Sequence, residues 1–257
     1  MEAVMETLAN ITAFLDRELK PEAFRDSSHN GLQVQNSGRI KRICCGVDAS
    51  MAFFEAAHAH QADLLICHHG ISWGDSLARV TDLNYRRLKF LLTHDMALYA
   101  SHLPLDAHPL HGNNACIARA LGLRSLKPFG DYHGQTIGFR GQLPKAVSYA
   151  AFKSLAAKVF GTTAVQSMDF GKRQIRSVAV VSGGASDLAA EAGRDRMDVF
   201  VTGEPALAAY SVAEEYGINV VYGGHYATEV FGVRALGNLL AKHFKVDAQF
   251  IDLAVPF

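Results

Sequence analysis

Apolar residues recur at Val4, Leu8, Ile11, Leu15 and Leu19, in steps of four, three, four and four, which predicts an amphipathic helix stopped by Pro21. The polar run Asp26-Ser27-Ser28-His29-Asn30-Gly31 predicts a turn-rich loop. Ile40 to Val47 is a short apolar run of strand length, residues 50–61 suit a helix, and Asp63 to Cys67 reads as a second buried strand. A helix over roughly 82–94 and a third strand from Ala97 to Ala100 follow. Strands alternating with helices at this rhythm predict an α/β fold with a largely parallel sheet.

The same order returns later. Ile175 to Val181 reads as a strand, 186–195 as a helix, Asp198 to Val201 as a strand, 205–216 as a helix and Asn219 to Tyr222 as a strand. Asp63-Leu64-Leu65-Ile66 and Asp198-Val199-Phe200-Val201 stand 135 positions apart, each directly after a helix. Tyr99-Ala100-Ser101-His102 and Tyr222-Gly223-Gly224-His225 match at a spacing of 123. The two halves read as a duplicated α/β unit. Between them, residues 124–174 are less regular, with an alternating stretch at 135–143 and a helix expected over 146–160.

Composition narrows the function classes. At 257 residues the chain is long enough to bury a core without disulfides. Twenty-five Lys and Arg balance twenty-five Asp and Glu, which gives no support to a broad nucleic-acid or acidic-membrane footprint. Cys44, Cys45, Cys67 and Cys116 show neither C-x-x-C nor zinc-finger spacing and read as small buried hydrophobes in a reducing cytoplasm. Glu2 and Glu6 and the lack of a basic leader argue against a secretory signal, and no run of 18 apolar residues offers a membrane span. Histidine is what stands out: there are 12, several of them bunched.

Three clusters carry candidate chemistry. Cys67-His68-His69-Gly70 stands at the carboxyl end of a buried strand, the edge at which open α/β sheets bind ligands. Strand alternation points consecutive histidines in different directions, so the pair is expected to serve two neighbouring cations more readily than one. Ser101-His102-Leu103-Pro104-Leu105-Asp106 and Gly224-His225-Tyr226-Ala227-Thr228-Glu229 share a His-x3-acid pattern after equivalent strands. Imidazole and carboxylate without thiolate suit Zn, Mn, Fe, Co or Ni. A carboxylate can bridge two cations, and a paired site ~3.5–4 Å across needs about five to six protein ligands, the number these clusters offer. The competing reading is histidines satisfied separately by backbone carbonyls in turns. His58, His60, His94, His133 and His243 show no ligand pattern, and His29 beside Asn30-Gly31 is ambiguous. Gly183-Gly184 follows a strand and precedes a helix, but no P-loop lysine and no G-x-S-x-G nucleophile motif occurs.

Asn30-Gly31-Leu32-Gln33-Val34, Cys67-His68-His69-Gly70, His102-Leu103-Pro104-Leu105-Asp106, Gly112-Asn113-Asn114 and Gly224-His225-Tyr226-Ala227-Thr228-Glu229 resemble the Nif-three-like family, whose members are often labelled GTP cyclohydrolase I type 2 homologues. The likeness runs in order from about residue 4 to residue 255 and resembles the short bacterial members. It implies two similar, intertwined α/β lobes with mixed, mostly parallel sheets. Lobe I is expected over residues 1–124 plus about 230–257 and lobe II over 125–229, in a single compact unit with a metal site between the lobes. It implies two divalent metal ions held by His68, His69, Asp106, His225 and Glu229. In the implied split Glu229 bridges, Asp106 and His69 serve one ion, and His68 and His225 the other. His102 is implied as a neighbour, a candidate catalytic proton shuttle because an imidazole titrates near working pH. A cytoplasmic homohexamer with sites facing an internal cavity is also implied. Tyr226 departs from the pattern, since short bacterial relatives often have a histidine there, which puts in doubt a proton-transfer role at that position.

Two functions of different class follow. One is a metal-dependent hydrolase acting on a nucleotide-like or cyclic-amide small molecule; the other is a metal-binding interaction or regulatory protein without turnover. GTP cyclohydrolase chemistry would require opening a purine imidazole ring, and no dedicated guanine-recognition pattern is present. A nuclease is disfavoured by the balanced charge.

Overall fold

The computed structural model describes residues 5–253 and 255. By internal contact the chain divides into two units, Met1–Leu105 with Gly232–Leu253, and Asp106–Phe231 with Ala254–Phe257. Residues 106–124, read above with lobe I, group with the second unit.

In the first unit strand β1 (Glu6–Thr7) leads into helix α1 (Leu8–Leu19). The Thr7 hydroxyl accepts the Asn10 N–H as N-cap, and Lys20, in the left-handed conformation, ends the helix before Pro21. The expected apolar stripe is buried from Leu8 onward and includes Phe14; Val4 lies outside the described residues. There follow β2 (Gly31–Val34), β3 (Arg39–Ile40), β4 (Arg42–Asp48), α2 (Met51–Ala59), β5 (Leu64–His69), α3 (Asp82–Thr93), β6 (Ala97–Ala100) and a short α4 (Leu103–Ala107). The second unit holds α5 (Asn113–Ala120), β7 (Arg124–Tyr132), β8 (Gln135–Ser148), α6 (Tyr149–Phe160), β9 (Gln166–Asp169) and β10 (Gln174–Val180). A 3-10 turn then enters α7 (Ala189–Arg194), followed by β11 (Val199–Thr202), α8 (Leu207–Tyr216) and β12 (Asn219–Tyr222). Helix α9 (His225–Phe244) starts in the second unit and ends in the first, which β13 (Asp247–Phe250) completes.

The first unit's sheet runs β13-β4-β5-β6-β2, parallel throughout except at β2. The second unit's sheet runs β7-β8-β10-β11-β12-β9, with β10, β11 and β12 parallel and the flanking strands antiparallel. The fold is thus α/β with two larger sheets of mixed orientation and, in the first unit, a two-stranded antiparallel pair of β1 and β3. Each core forms where helices cover its sheet: Phe53, Phe54, Leu65, Leu91 and Leu98 in one unit, Phe152, Val178, Val199 and Val221 in the other.

The duplication shows in side chains as well as in order. Asp63, just ahead of β5, accepts the N–H groups of Lys41 and Arg42 at 2.7 and 2.9 Å, at the start of β4. Asp198, just ahead of β11, accepts those of Arg176 and Ser177 in β10 at 3.0 and 2.9 Å. Each unit therefore fixes the register of two adjacent parallel strands with the same carboxylate device.

Four strands that hydrophobic patterning does not predict, β2, β7, β9 and β13, are the edges of the two larger sheets. An edge strand has a partner on one side only and buries less, so its apolar signal is weak. Strand β8 also continues through Ser148, so α6 begins at Tyr149, three residues later than patterning predicts. Cys44, Cys45 and Cys67 are buried as expected, whereas Cys116 is only half-buried, with the Arg119 guanidinium 3.2 Å from its sulfur.

Candidate metal centre

The donors of the first unit lie at the carboxyl ends of its parallel strands. Strand β4 ends in Asp48, β5 in His68 and His69, and the turn after β6 carries His102. His68 is fully buried and its Nδ1 lies 2.9 Å from the Ser101 carbonyl oxygen. A carbonyl only accepts, so the ring proton sits on Nδ1 and the lone pair on Nε2. The register of β4 on β5 sets Asp48 opposite His69, whose Nδ1 lies 2.8 Å from the Asp48 carboxylate. His102 Nδ1 is 3.0 and 3.1 Å from the two oxygens of Asp26. Burial pushes the Asp26 acid up, but hydrogen bonds from His102, Asn30 and the Ser28 N–H outweigh it and hold the acid at about 2. Asp26 is therefore a carboxylate at neutral pH and His102 donates to it through Nδ1.

With Nδ1 held by oxygen in all three rings, Nε2 is the atom each offers a cation, the arrangement found behind metal-ligating histidines. One ligand atom from each of His68, His69 and His102 lies within 4.8 Å of the others. The expectation that strand alternation would part His68 from His69 is corrected here. Their ring centroids are 4.8 Å apart at an angle of 44°, since the side chains swing together at the strand end. The Trp73 indole donates to the Gly70 carbonyl at 2.8 Å and packs edge-on against His102, with centroids 5.0 Å apart.

The Asn30-Gly31-Leu32-Gln33-Val34 motif acquires a physical reason. Asn30 Oδ1 accepts the His102 N–H at 2.7 Å while its amide donates to Asp26 at 2.9 Å. Gln33 Oε1 accepts the N–H groups of Ile71 and Ser72, fixing the loop that leaves His69. A Cβ on Gly70 would stand 2.3 Å from that same oxygen, so this position has no room for a side chain.

The second unit holds the carboxylates. Asp106 is buried, and its Oδ1 accepts from Asn113 Nδ2 at 2.9 Å and from the Ser182 hydroxyl at 3.0 Å. Asn114 supports this pair, accepting the Ser182 N–H at 2.6 Å and donating to the Ile137 carbonyl at 2.8 Å. His225 opens α9 one turn before Glu229, so the two share a helix face. His225 Nε2 lies 3.1 Å from buried Glu229 and Nδ1 lies 3.1 Å from Glu204. The hydrogen bond to Glu229 pushes this imidazole up to about 9 against the opposing effect of burial, and Glu204 adds to the rise. Gly183 closes on the pair: a Cβ there would be 2.4 Å from Glu229 Oε1 and 3.2 Å from His225 Nε2, and its φ of +66° favours glycine. The backbone thus forms a cradle directly over an imidazole and a carboxylate, and the donor set is the N/O set of a borderline or hard divalent cation.

All five predicted ligands and His102 thus fall at carboxyl ends of parallel strands or just after them. Asp26, Asp48, Glu204 and Ser182, which hold the candidate donors, were not singled out from sequence; each is an ordinary polar residue in a loop or at a strand end until the partner strand is known. Asn113 and Asn114 were visible only as part of a motif.

A family model for Duf34/NIF3 (NGG1p interacting factor 3) matches residues 6–255. The chain belongs to this family. A relative in Deinococcus radiodurans is 42% identical over 242 residues, 94% of this chain and 91% of that protein. One in Archaeoglobus fulgidus is 41% identical over 246 residues, 96% and 98% of the two chains. Both bear the name GTP cyclohydrolase 1 type 2 homolog. Among solved structures, protein ybgI, described as of unknown function, superposes with a TM-score of 0.91 at 32% identity, covering 98% of this chain and 100% of that one. TTHA1606 from Thermus thermophilus gives 0.89 at 33%, with the same coverage. The family resemblance carried by the motifs is therefore correct across the whole chain.

Proposed function

We propose that His68, His69, Asp106, His225 and Glu229 hold two divalent cations in one dinuclear centre, and that the protein is a metal-dependent hydrolase of a nucleotide-like or cyclic-amide small molecule. The observation that carries this reading is the locked state of the first unit's imidazoles: Ser101 and Asp48 fix the protons of His68 and His69 on Nδ1. Ring orientation and tautomer are thus set before any cation arrives. When bound, such a pair of ions supplies a Lewis acid and lowers the pKa of a coordinated water. The chain's own residues orient the ligands and bury the carboxylates, and His102 keeps its Nδ1 anchored on Asp26. His102 is placed in this reading as the group that accepts a proton at Nε2 and passes it on, with its Nδ1–H kept on Asp26. Homohexameric assembly in the cytoplasm belongs to the same proposal, as does the division of labour in which Glu229 bridges.

The test is reconstitution of chelator-treated protein with Zn, Mn, Fe, Co or Ni in turn, with elemental analysis and a screen of nucleotide and cyclic-amide hydrolysis. Two ions per chain, falling in Glu229→Gln and His68→Ala, together with metal-dependent turnover support the reading. Fewer than one ion per chain overturns it. Two ions with no turnover on any substrate would leave the metal-binding role and remove the hydrolase.

A further inference from the structure

Beside the His225–Glu204 pair the second unit contains a cavity of about 570 Å³, within the size range of small-molecule sites. Phe160 and Tyr222 supply its aromatic surface. Gly223 lies so close to the Phe160 ring that a Cβ would stand 2.7 Å from it, so the wall at this point is flat backbone on ring. Gln166 sits opposite Tyr222 across the β9–β12 ladder, and Thr162 and Glu204 complete the polar side chains of the lining, the Glu204 side chain 47% exposed.

The hydrogen-bonding character of this lining is one-sided. Among the described residues that line the cavity, none is Lys, Arg or His. The backbone N–H groups of Gly203, Gly223 and Gly224, which elsewhere would make an anion nest, each donate at 2.9 Å to the carbonyls of Gly183, Thr202 and Gly203. A phosphate or carboxylate would meet the Glu204 carboxylate and no cationic side chain, and the Thr162 and Tyr222 hydroxyls donate to the Ala164 carbonyl and the Met168 sulfur at 3.0 and 3.3 Å. What the cavity offers is aromatic surface and an acceptor, which fits a flat ring that donates.

We propose that this cavity is the recognition pocket for an uncharged, planar nitrogen heterocycle presenting adjacent N–H donors, read by the Glu204 carboxylate. The proposal rests on the reading of His225 and Glu229 as cation ligands only for the further step that such a ring lies next to the reactive centre. Glu204 is then a positioning residue: Oε2 stands on His225 Nδ1, and Oε1, 3.1 Å from where a Cβ on Gly184 would lie, is the oxygen the proposal assigns to the ligand. A nucleotide would enter with its base in this cavity and its phosphates outside it.

The experiment is calorimetric titration of the full chain, metal-loaded and chelator-treated, with isocytosine, whose ring N–H adjoins an exocyclic amine, and with uracil, whose N–H groups each adjoin a carbonyl. Isocytosine is expected to bind at least tenfold tighter than uracil. Glu204→Gln should lose at least tenfold of the isocytosine affinity, and Ala164→Trp, at the cavity wall and away from the candidate ligands, should abolish it. Equal affinity for both rings, or isocytosine binding untouched by Ala164→Trp, overturns the proposal, as does tighter binding of inorganic phosphate than of isocytosine to chelator-treated protein. Elemental analysis of the same samples separates the two readings. Full metal content without heterocycle binding sinks the pocket alone, and heterocycle binding to a chain that takes up no metal sinks the dinuclear centre alone.

Discussion

Asp48 touches no predicted substrate, yet it fixes the direction in which His69 presents its nitrogen. Partners of this kind commonly contribute about 10–100-fold in metal affinity. Asp48→Ala is therefore expected to weaken cation binding by about that factor, measured by competition with a chromophoric chelator, while the fold holds because the residue lies at a strand end. An unchanged affinity would remove Asp48 from the site. Gly183 makes a second prediction at the same scale. Its φ of +66° and the 2.4 Å approach of Glu229 to a Cβ mean that Gly183→Ala must strain the backbone and displace the carboxylate. A loss of about 1–3 kcal/mol in thermal unfolding, together with reduced metal content, is expected. A variant as stable as the parent with full metal content would show that the cradle is roomier than the backbone implies.

The carboxylate that ties two parallel strands together is a property of elements. Asp198 reaches two N–H groups in β10 and the Lys172 amine at 2.8 Å. Burial raises this acid, but the hydrogen bonds from Lys172, Ser177 and Arg176 win and hold it below the usual carboxylate range. The sign follows from linkage. A depressed acid stabilises the fold at every pH above its unfolded value, near 4, and that contribution fades as the pH falls through the folded value. Asp198→Asn should cost about 1.5–3 kcal/mol at neutral pH, the usual range for hydrogen bonds to a charged group. The gap in melting temperature between parent and variant should close below about pH 4. A gap that persists unchanged at pH 3 would assign the loss to packing. The same device at Asp63 was foreshadowed by the matching Asp-led segments of the two halves. Edge strands such as β9 and β13 were not legible, because the polarity of Gln166–Asp169 and Asp247–Phe250 reflects solvent on their open sides and carries no period to read.

For the molecule as a whole, cation binding and folding are linked by mass action. Ions that bind only the folded chain add about 2.7 kcal/mol when present at 100 times their dissociation constant. Chelation is therefore expected to lower the melting temperature and re-addition of the preferred cation to restore it, with the shift lost in Glu229→Gln. A melting temperature indifferent to chelator and metal would deny any cation a place in the native state. No helix among the described residues is long and apolar enough to cross a membrane.

The order of the central strands and the helices between them, the repeat of one α/β unit and the identity of the candidate donors were all in the sequence. Local periodicity and residue type survive without knowledge of the fold, and His68, His69, Asp106, His225 and Glu229 stand in motifs that can be read by eye. What the chain order could not convey was which oxygen stands behind which imidazole. Asp26 meets His102 across 76 positions, and Asp48 meets His69 across 21. Those pairings are set by strand register and loop closure, and only the folded backbone fixes them.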